Sequence, residues 1–140
     1  MRILVDTNIF LDFLLPDPKF QNSARLFFEY CHDSKSQIYV IAMTIRDIGY
    51  IAHRRLHDKS KSVSLQRAVY SICSKIVPIS ADAAISAFYD GRPDYEDSLI
   101  MEAAEESMCD FIVTRNAPDF VDGIVPAYDV DDFLKLVNSK

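Results

Sequence analysis

The chain is poor in the residues that staple or loosen a fold: three cysteines and three glycines among 140 residues, and no tryptophan. Cys31, Cys73 and Cys109 are odd in number and widely spaced, with no C-x-x-C pair. That excludes a disulfide framework or a zinc knuckle and leaves buried free thiols as the expectation. No apolar run approaches the roughly 20 residues that a bilayer span needs, so a membrane protein is not expected. A basic leader and a small-residue cleavage site are also missing, and the expected compartment is the cytoplasm. Only three histidines occur. His53 and His57 have i, i+4 spacing, but no Glu lies between them in the H-E-x-x-H manner, so they read as part of an exposed basic face.

No repeat, low-complexity tract or Gly/Ser linker divides the sequence. Apolar residues make up 49% and charged residues 26%, the balance of a globular protein. At this length one domain with a real core is expected over residues 1–140. The net charge of −6 argues against a surface coated for nucleic acid, but it conceals an asymmetry. Between Arg46 and Lys75 seven Lys and Arg face two Asp, a local balance of +5, which leaves −11 on the remainder. Such a block most often marks a solvated helix face, and it can also hold phosphates.

Short, continuous apolar runs occur at Ile3–Val5, Ile38–Ile41, Ile76–Ile79, Phe111–Val113 and Ile124–Val125. Burial on both sides is typical of parallel strands, so five are predicted. Helical periodicity lies between them, at Ile9–Leu15, Gln21–His32, Ile45–Leu56, Ser64–Ser74, Ala81–Asp90, Ser98–Met108 and Asp132–Val137. Alternating strands and helices predict an α/β fold, a three-layer α/β/α sandwich around a mainly parallel five-stranded sheet. Pro16 and Pro18 are expected to stop the first helix, Gly91-Arg92-Pro93 marks a loop, and Pro78 places Ile76–Ile79 at a sheet edge.

Four acids recur where such a sheet keeps its sites, at the carboxyl ends of its strands. Asp6 closes the first strand, Asp47 lies in the first turns of the helix after the second, and Asp97 begins the helix before the fourth. Asp119 follows the fourth strand. Local roles account for each singly: Asp94 and Asp97 fit an N-cap and an acid in the first helical turn, Asp47 can pair with Arg46 or Arg54, Asp119 can cap a turn, and Asp6 can open an Asx-turn. Taken together they suggest a shared cation, because clustered carboxylates repel one another and hard divalent ions such as Mg²⁺ or Mn²⁺ hold them at one point.

These motifs, VDTNIFLDFLL near the N-terminus and DYEDSLIMEAAEESMCDFIVTRNAPDF later, resemble the PIN domain over nearly the whole chain. That family consists largely of metal-dependent ribonucleases, among them the VapC-type toxins of toxin–antitoxin pairs. The resemblance implies Asp6 as the first acid, with Thr7 and Asn8 completing D-T-N, and Asp97 as the third. Asp47 matches the second, commonly Glu, and is one methylene shorter. At the fourth position Asn116 stands where many members carry an acid, and Asp119 follows three residues later; either can fill it.

The implied chemistry is metal-assisted hydrolysis of RNA phosphodiesters, in which a divalent cation acidifies water and neutralises charge developing at phosphorus. Asp6, Asp97, Asp47 and Asp119 are then the expected catalytic and metal-binding residues, with Asn8, Thr114 and Asn116 positioning water or a ligand. Arg54, Arg55, Lys59 and Lys61 are the expected grips on the RNA backbone. Tyr50 and Tyr95 flank two of the acids, where core or rim packing is the first expectation and base stacking the second. A small antitoxin protein and a homodimer are the partners the resemblance implies. Receiver domains and phosphatases with an Asp nucleophile also put an acid at a strand end. The former need an acidic pair and a later Lys, and the latter need D-x-D where Asn8 stands. A binding module with a decayed site remains the alternative to the nuclease, supported by Asn116 and by the shortened Asp47.

Overall fold

Alternation along each strand sends neighbouring side chains to opposite faces of a sheet, and both faces here are apolar. In the computed structural model, which describes residues 1–15, 17–120 and 122–140, five strands form one sheet: β1 (Arg2–Val5), β2 (Gln37–Ile41), β3 (Lys75–Val77), β4 (Phe111–Val113) and β5 (Ala127–Tyr128). Every pairing is parallel and the order is β3-β2-β1-β4-β5. The helices are α1 (Thr7–Leu14), α2 (Gln21–Asp33), α3 (Ala42–Leu56), α4 (Lys59–Ile72), α5 (Ala81–Tyr89), α6 (Tyr95–Glu106) and α7 (Val130–Asn138), with a 3₁₀ turn at Ala117–Phe120.

Ile3, Val5, Ile38, Val40 and Val113 face a core filled by Phe10 of α1, Phe27 of α2, Ile48 of α3, Val69 of α4 and Phe133 of α7. Leu4, Tyr39, Ile41 and Ile112 face the other, filled by Ile100, Met101 and Ala104 of α6 with Phe120 and Val125. α5 packs outside, on α6. The predicted three-layer α/β/α sandwich with a five-stranded parallel sheet is therefore the fold. Phe27, Phe111 and Tyr30 all set their rings against Phe133, which ties α7 into the first core.

β3 is an edge strand, as the proline argument required, but it ends at Val77 and so leaves Pro78 outside the ladder. The fifth strand is not at Ile124–Val125. It lies at Ala127–Tyr128, beyond Pro126, and Ile124 is 77% exposed. Apolarity misplaced it, because β5 is only two half-buried residues long and is defined by its ladder with Ile112 and Val113. Helices α1, α3, α4 and α6 each begin before the first strongly apolar position, at the residue after a cap or strand end. In α4 this moves Lys59 and Lys61 from a loop onto the first helical turn, behind the Asp58 cap. His57 ends α3 in the left-handed conformation (φ 51°), so it does not share a helical face with His53.

The thiols are free, Cys31 and Cys109 fully buried and Cys73 only partly. Burial pushes the Cys31 thiol up to about 12 and that of Cys109 to about 11. The predicted loop holds Gly91 at φ 70°, where Gly costs least, and Arg92 pairs there with Asp90. The stop expected at Pro16 lies outside the described residues. No described helix is long and apolar enough to cross a membrane.

Candidate functional site

Val5 and Val113 are paired at the ends of the adjacent strands β1 and β4, so the next residue of each, Asp6 and Thr114, lies at the same sheet edge. The Asp6 N–H donates to the Val113 carbonyl at 3.0 Å, which extends the ladder by one bond. Asp6 also caps α1. Its Oδ1 accepts from the Thr7 N–H at 2.7 Å, and its Oδ2 accepts from Thr114 Oγ1 at 2.7 Å and from Asn8 Nδ2 at 3.2 Å. Asp6 as a whole is 8% exposed. Burial raises its pKa, the hydrogen bonds from Thr114, Thr7 and Asn8 oppose that rise, and the charge of Asp94 adds to it.

Asn8 and Thr114 are held in turn by the loop after β4. The Arg115 N–H donates to Asn8 Oδ1 at 3.2 Å, and the Asn116 N–H donates to Thr114 Oγ1 at 3.2 Å. Asn8 and Thr114 thus both hydrogen-bond to Asp6, and each is itself bonded by the loop that follows β4.

Around Asp6 the fold gathers the other acids by three routes. α3 starts directly after β2 and carries Asp47 into its second turn. α6 must run back to the start of β4, so its N-terminus lies at the carboxyl edge of the sheet. Asp94 caps it by accepting from the Asp97 N–H at 3.1 Å, the capping arrangement expected from the sequence. One pocket is lined by Asp6, Asp47, Asp94, Glu96 and Asp97, together with Asn8, Asn116 and Tyr50. Asp119, in the 3₁₀ turn, lines a smaller neighbouring pocket with Asp94 and Asp97. Asn116 therefore shares the main pocket, and Asp119 approaches Asp97 from the side.

Glu96, and Asp94 as anything beyond a cap, were not singled out from the sequence. Their proximity to Asp97 in D-Y-E-D was the available signal. The Asp97 carboxyl is pushed up to about 6 by burial first, then by the charges of Asp94, Asp6, Asp119 and Glu96. Glu96 is raised by burial and by Asp47, Asp94 and Asp6, while Arg46 lowers it. Arg46 is the basic residue on the pocket wall, 3.0 Å from Asp47 Oδ1, so of the two partners foreseen for Asp47 it is Arg46 that pairs. Arg54 turns instead to Tyr50, donating to its Oη at 3.3 Å. Arg55, Lys59 and Lys61 do not line the pocket. Tyr50 stands at its rim, and Tyr95 donates its hydroxyl to the Ala84 carbonyl.

Such a concentration of like charge is unfavourable without a counter-ion. All the donors are hard oxygens, the set that Mg²⁺ and Mn²⁺ prefer, so the residues present fit a divalent cation. Among the described residues no three acidic, His or Cys side chains close tightly around a point, and the acids line an open pocket instead of a cage.

The sequence profile of the PIN domain matches residues 2–117. No curated protein matches the chain. Similar solved structures include a chain of a toxin–antitoxin complex from Klebsiella pneumoniae, 19% identical with a TM-score of 0.66, the match covering 91% of this chain and 97% of that one. A chain of the VapBC2 complex from Rickettsia felis bound to a promoter DNA fragment is 18% identical with a TM-score of 0.62, covering 92% and 98%. VapC20 of Mycobacterium tuberculosis, described as a Sarcin-Ricin loop cleaving toxin, is 12% identical with a TM-score of 0.60, covering 79% and 86%. At these identities the structures establish the shared fold.

Proposed function

Because the chain belongs to the PIN domain family, we propose that it is a metal-dependent endoribonuclease, the toxin of a toxin–antitoxin pair. The observation that carries this reading is the convergence of Asp6, Asp47 and Asp97 on one pocket at the carboxyl edge of the sheet, with a single Arg against them. The descriptions of the structural neighbours, a toxin–antitoxin complex, a VapBC2 complex and a Sarcin-Ricin loop cleaving toxin, support the same assignment.

Asp6 and Asp97 are the principal ligands on this reading, with Mg²⁺ or Mn²⁺ as the ion. Asp47 contributes a third carboxylate, and Glu96, a neighbour with a longer reach, stands beside it. A bound divalent ion supplies Lewis acidity, making water a better nucleophile and offsetting charge on the phosphoryl oxygens. Asn8 and Thr114 fix the Asp6 carboxylate. Asn116 holds the fourth position of the pocket, and Asp119 acts on the charge of Asp97. Arg46, on the pocket wall, would engage the RNA backbone beside the cut, and Arg54, bonded to Tyr50 of the rim, Arg55, Lys59 and Lys61 would meet it further along the strand. An antitoxin, a homodimer and a cytoplasmic setting complete the proposal.

The test is cleavage of single-stranded RNA with and without Mn²⁺. Wild-type protein should cut only with the ion, and Asp6→Asn or Asp97→Asn should abolish cutting. RNA binding that survives in both variants, with no cleavage by wild type at any metal concentration, would favour the decayed binding module.

A further inference from the structure

Next to the acidic pocket lies a second cleft of about 570 Å³, within the range of small-ligand sites, and the two share Asn8 and Asn116 in their linings. Its other residues include Asp12, Lys19, Phe20 and Arg115. Asp12 is a buried acid on α1, and Arg115 Nε lies 3.3 Å from its Oδ2. The Arg115 guanidinium carbon sits 4.5 Å from the centre of the Phe20 ring, so the head group is fixed by a charge at one edge and a ring against its face. Lys19 Nζ lies 5.1 Å from the same ring.

An arginine held this way has lost its side-chain freedom in advance, and its terminal Nη1 and Nη2 groups have no hydrogen-bond partner among the described residues. Its side chain is still 37% exposed. A planar fork of donors that no described residue engages, on a rigid mount, suits an oxyanion with paired acceptors, which is how Arg takes phosphate. Asp129 and Asp131 also line the cleft, but each is engaged, Asp129 Oδ1 by the Asp132 N–H and Asp131 by Ser23 Oγ. Their charge confines an anion to the Arg115 and Lys19 side.

We propose that this cleft is a subsite for the RNA backbone, in which Arg115, with Lys19 at the rim, binds a phosphate adjacent to the one presented to the acidic pocket. The inference rests on the ribonuclease reading and adds to it the direction in which the strand leaves the site: past Asn8 and Asn116, toward α2 and α7. Arg115 also links the two sites through its own backbone, since its N–H fixes Asn8 while its side chain faces the cleft. A side-chain substitution therefore removes the phosphate grip and keeps that bond.

The experiment is binding of a fluorescent single-stranded RNA oligonucleotide in Ca²⁺ across a salt series, with the RNA checked afterwards for intactness. Arg115→Gln should weaken binding about ten-fold and lower the salt slope by about 0.7, the loss of one phosphate contact on a single strand. Arg115→Lys should keep the slope while binding less tightly. Lys19→Gln, an exposed change that leaves the fold alone, should give a smaller loss in the same direction. A scan of neutral methylphosphonate linkages should find one position that hurts wild type and leaves Arg115→Gln unaffected. Tight RNA binding by wild type that is unchanged, slope included, in Arg115→Gln and Lys19→Gln overturns the subsite alone. Failure of wild type to bind RNA at all overturns the ribonuclease reading and the subsite with it.

Discussion

Thr114 Oγ1 donates to Asp6 Oδ2 at 2.7 Å in a buried contact between residues 108 positions apart. The parallel pairing of β1 with β4 makes that contact unavoidable once Val5 is opposite Val113. Removing the hydroxyl leaves a buried carboxylate short of a donor. Thr114→Val should therefore cost about 1–3 kcal/mol in urea unfolding, with Thr114→Ser restoring most of it. The Asp6 carboxyl should rise still further, because Thr114 is the first of the groups that hold it down.

Asp97 offers a substitution whose effect on stability is opposite in sign to that of Thr114→Val. Its carboxyl rises from 3.8 to about 6 on folding, so between those values the folded chain keeps a proton that the unfolded chain has lost. Stability should fall as pH rises through that window, and above about 6 the folded protein bears the full cost of the charge. Asp97→Asn should raise the melting midpoint of metal-free protein by roughly 2 °C at pH 7.5, a modest figure because the group is partly solvated. The difference should vanish near pH 4. A variant that melts below wild type at pH 7.5 would contradict this.

On the proposed reading Asn116, an amide, holds the fourth position of the site, where an acid would add one negative charge. Asn116 lines the pocket with Asp6, Asp47 and Asp97, whereas Asp119 meets Asp97 from the adjoining one. Asn116→Asp should raise Mn²⁺ affinity about ten-fold, since ligand charge tunes such sites. Asp119→Asn should change it less. Calorimetric titration of the two variants separates these roles.

Continuous apolar runs were enough for the sheet and its parallel strands, because buried strands are short and apolar on both faces, and the edge position of β3 came from Pro78, which itself lies just past the ladder. It failed at β5, where Ile124 imitates a strand residue and the true pair, Ala127 and Tyr128, is too short and too mixed to stand out. Asp6, Asp97 and Asp47 were legible because strand ends and helix starts fix where they point. Asp94 and Glu96 were hidden by their evident role in beginning α6. Nothing in the order of residues reveals that Arg46 turns to Asp47 and Arg54 to Tyr50, or that Arg115 meets Asp12, since those choices depend on how α1, α3 and the loop after β4 pack.

α7 lies beyond the residues that the family profile matches, yet Phe133 is fully buried against Phe27 and Phe111. We infer that residues 1–140 unfold as one unit. Phe133→Ala should then cost about 3–5 kcal/mol and shift a single transition seen alike by circular dichroism and fluorescence. Two separated transitions would divide α7 from the rest.

Mn²⁺ titration by calorimetry at pH 7.5 asks whether the acids of this pocket share a divalent ion. Saturable binding by wild-type protein is expected, reduced at least ten-fold in both Asp6→Asn and Asp97→Asn. Wild-type protein that binds no Mn²⁺, or binding that is equal in all three proteins, would contradict it.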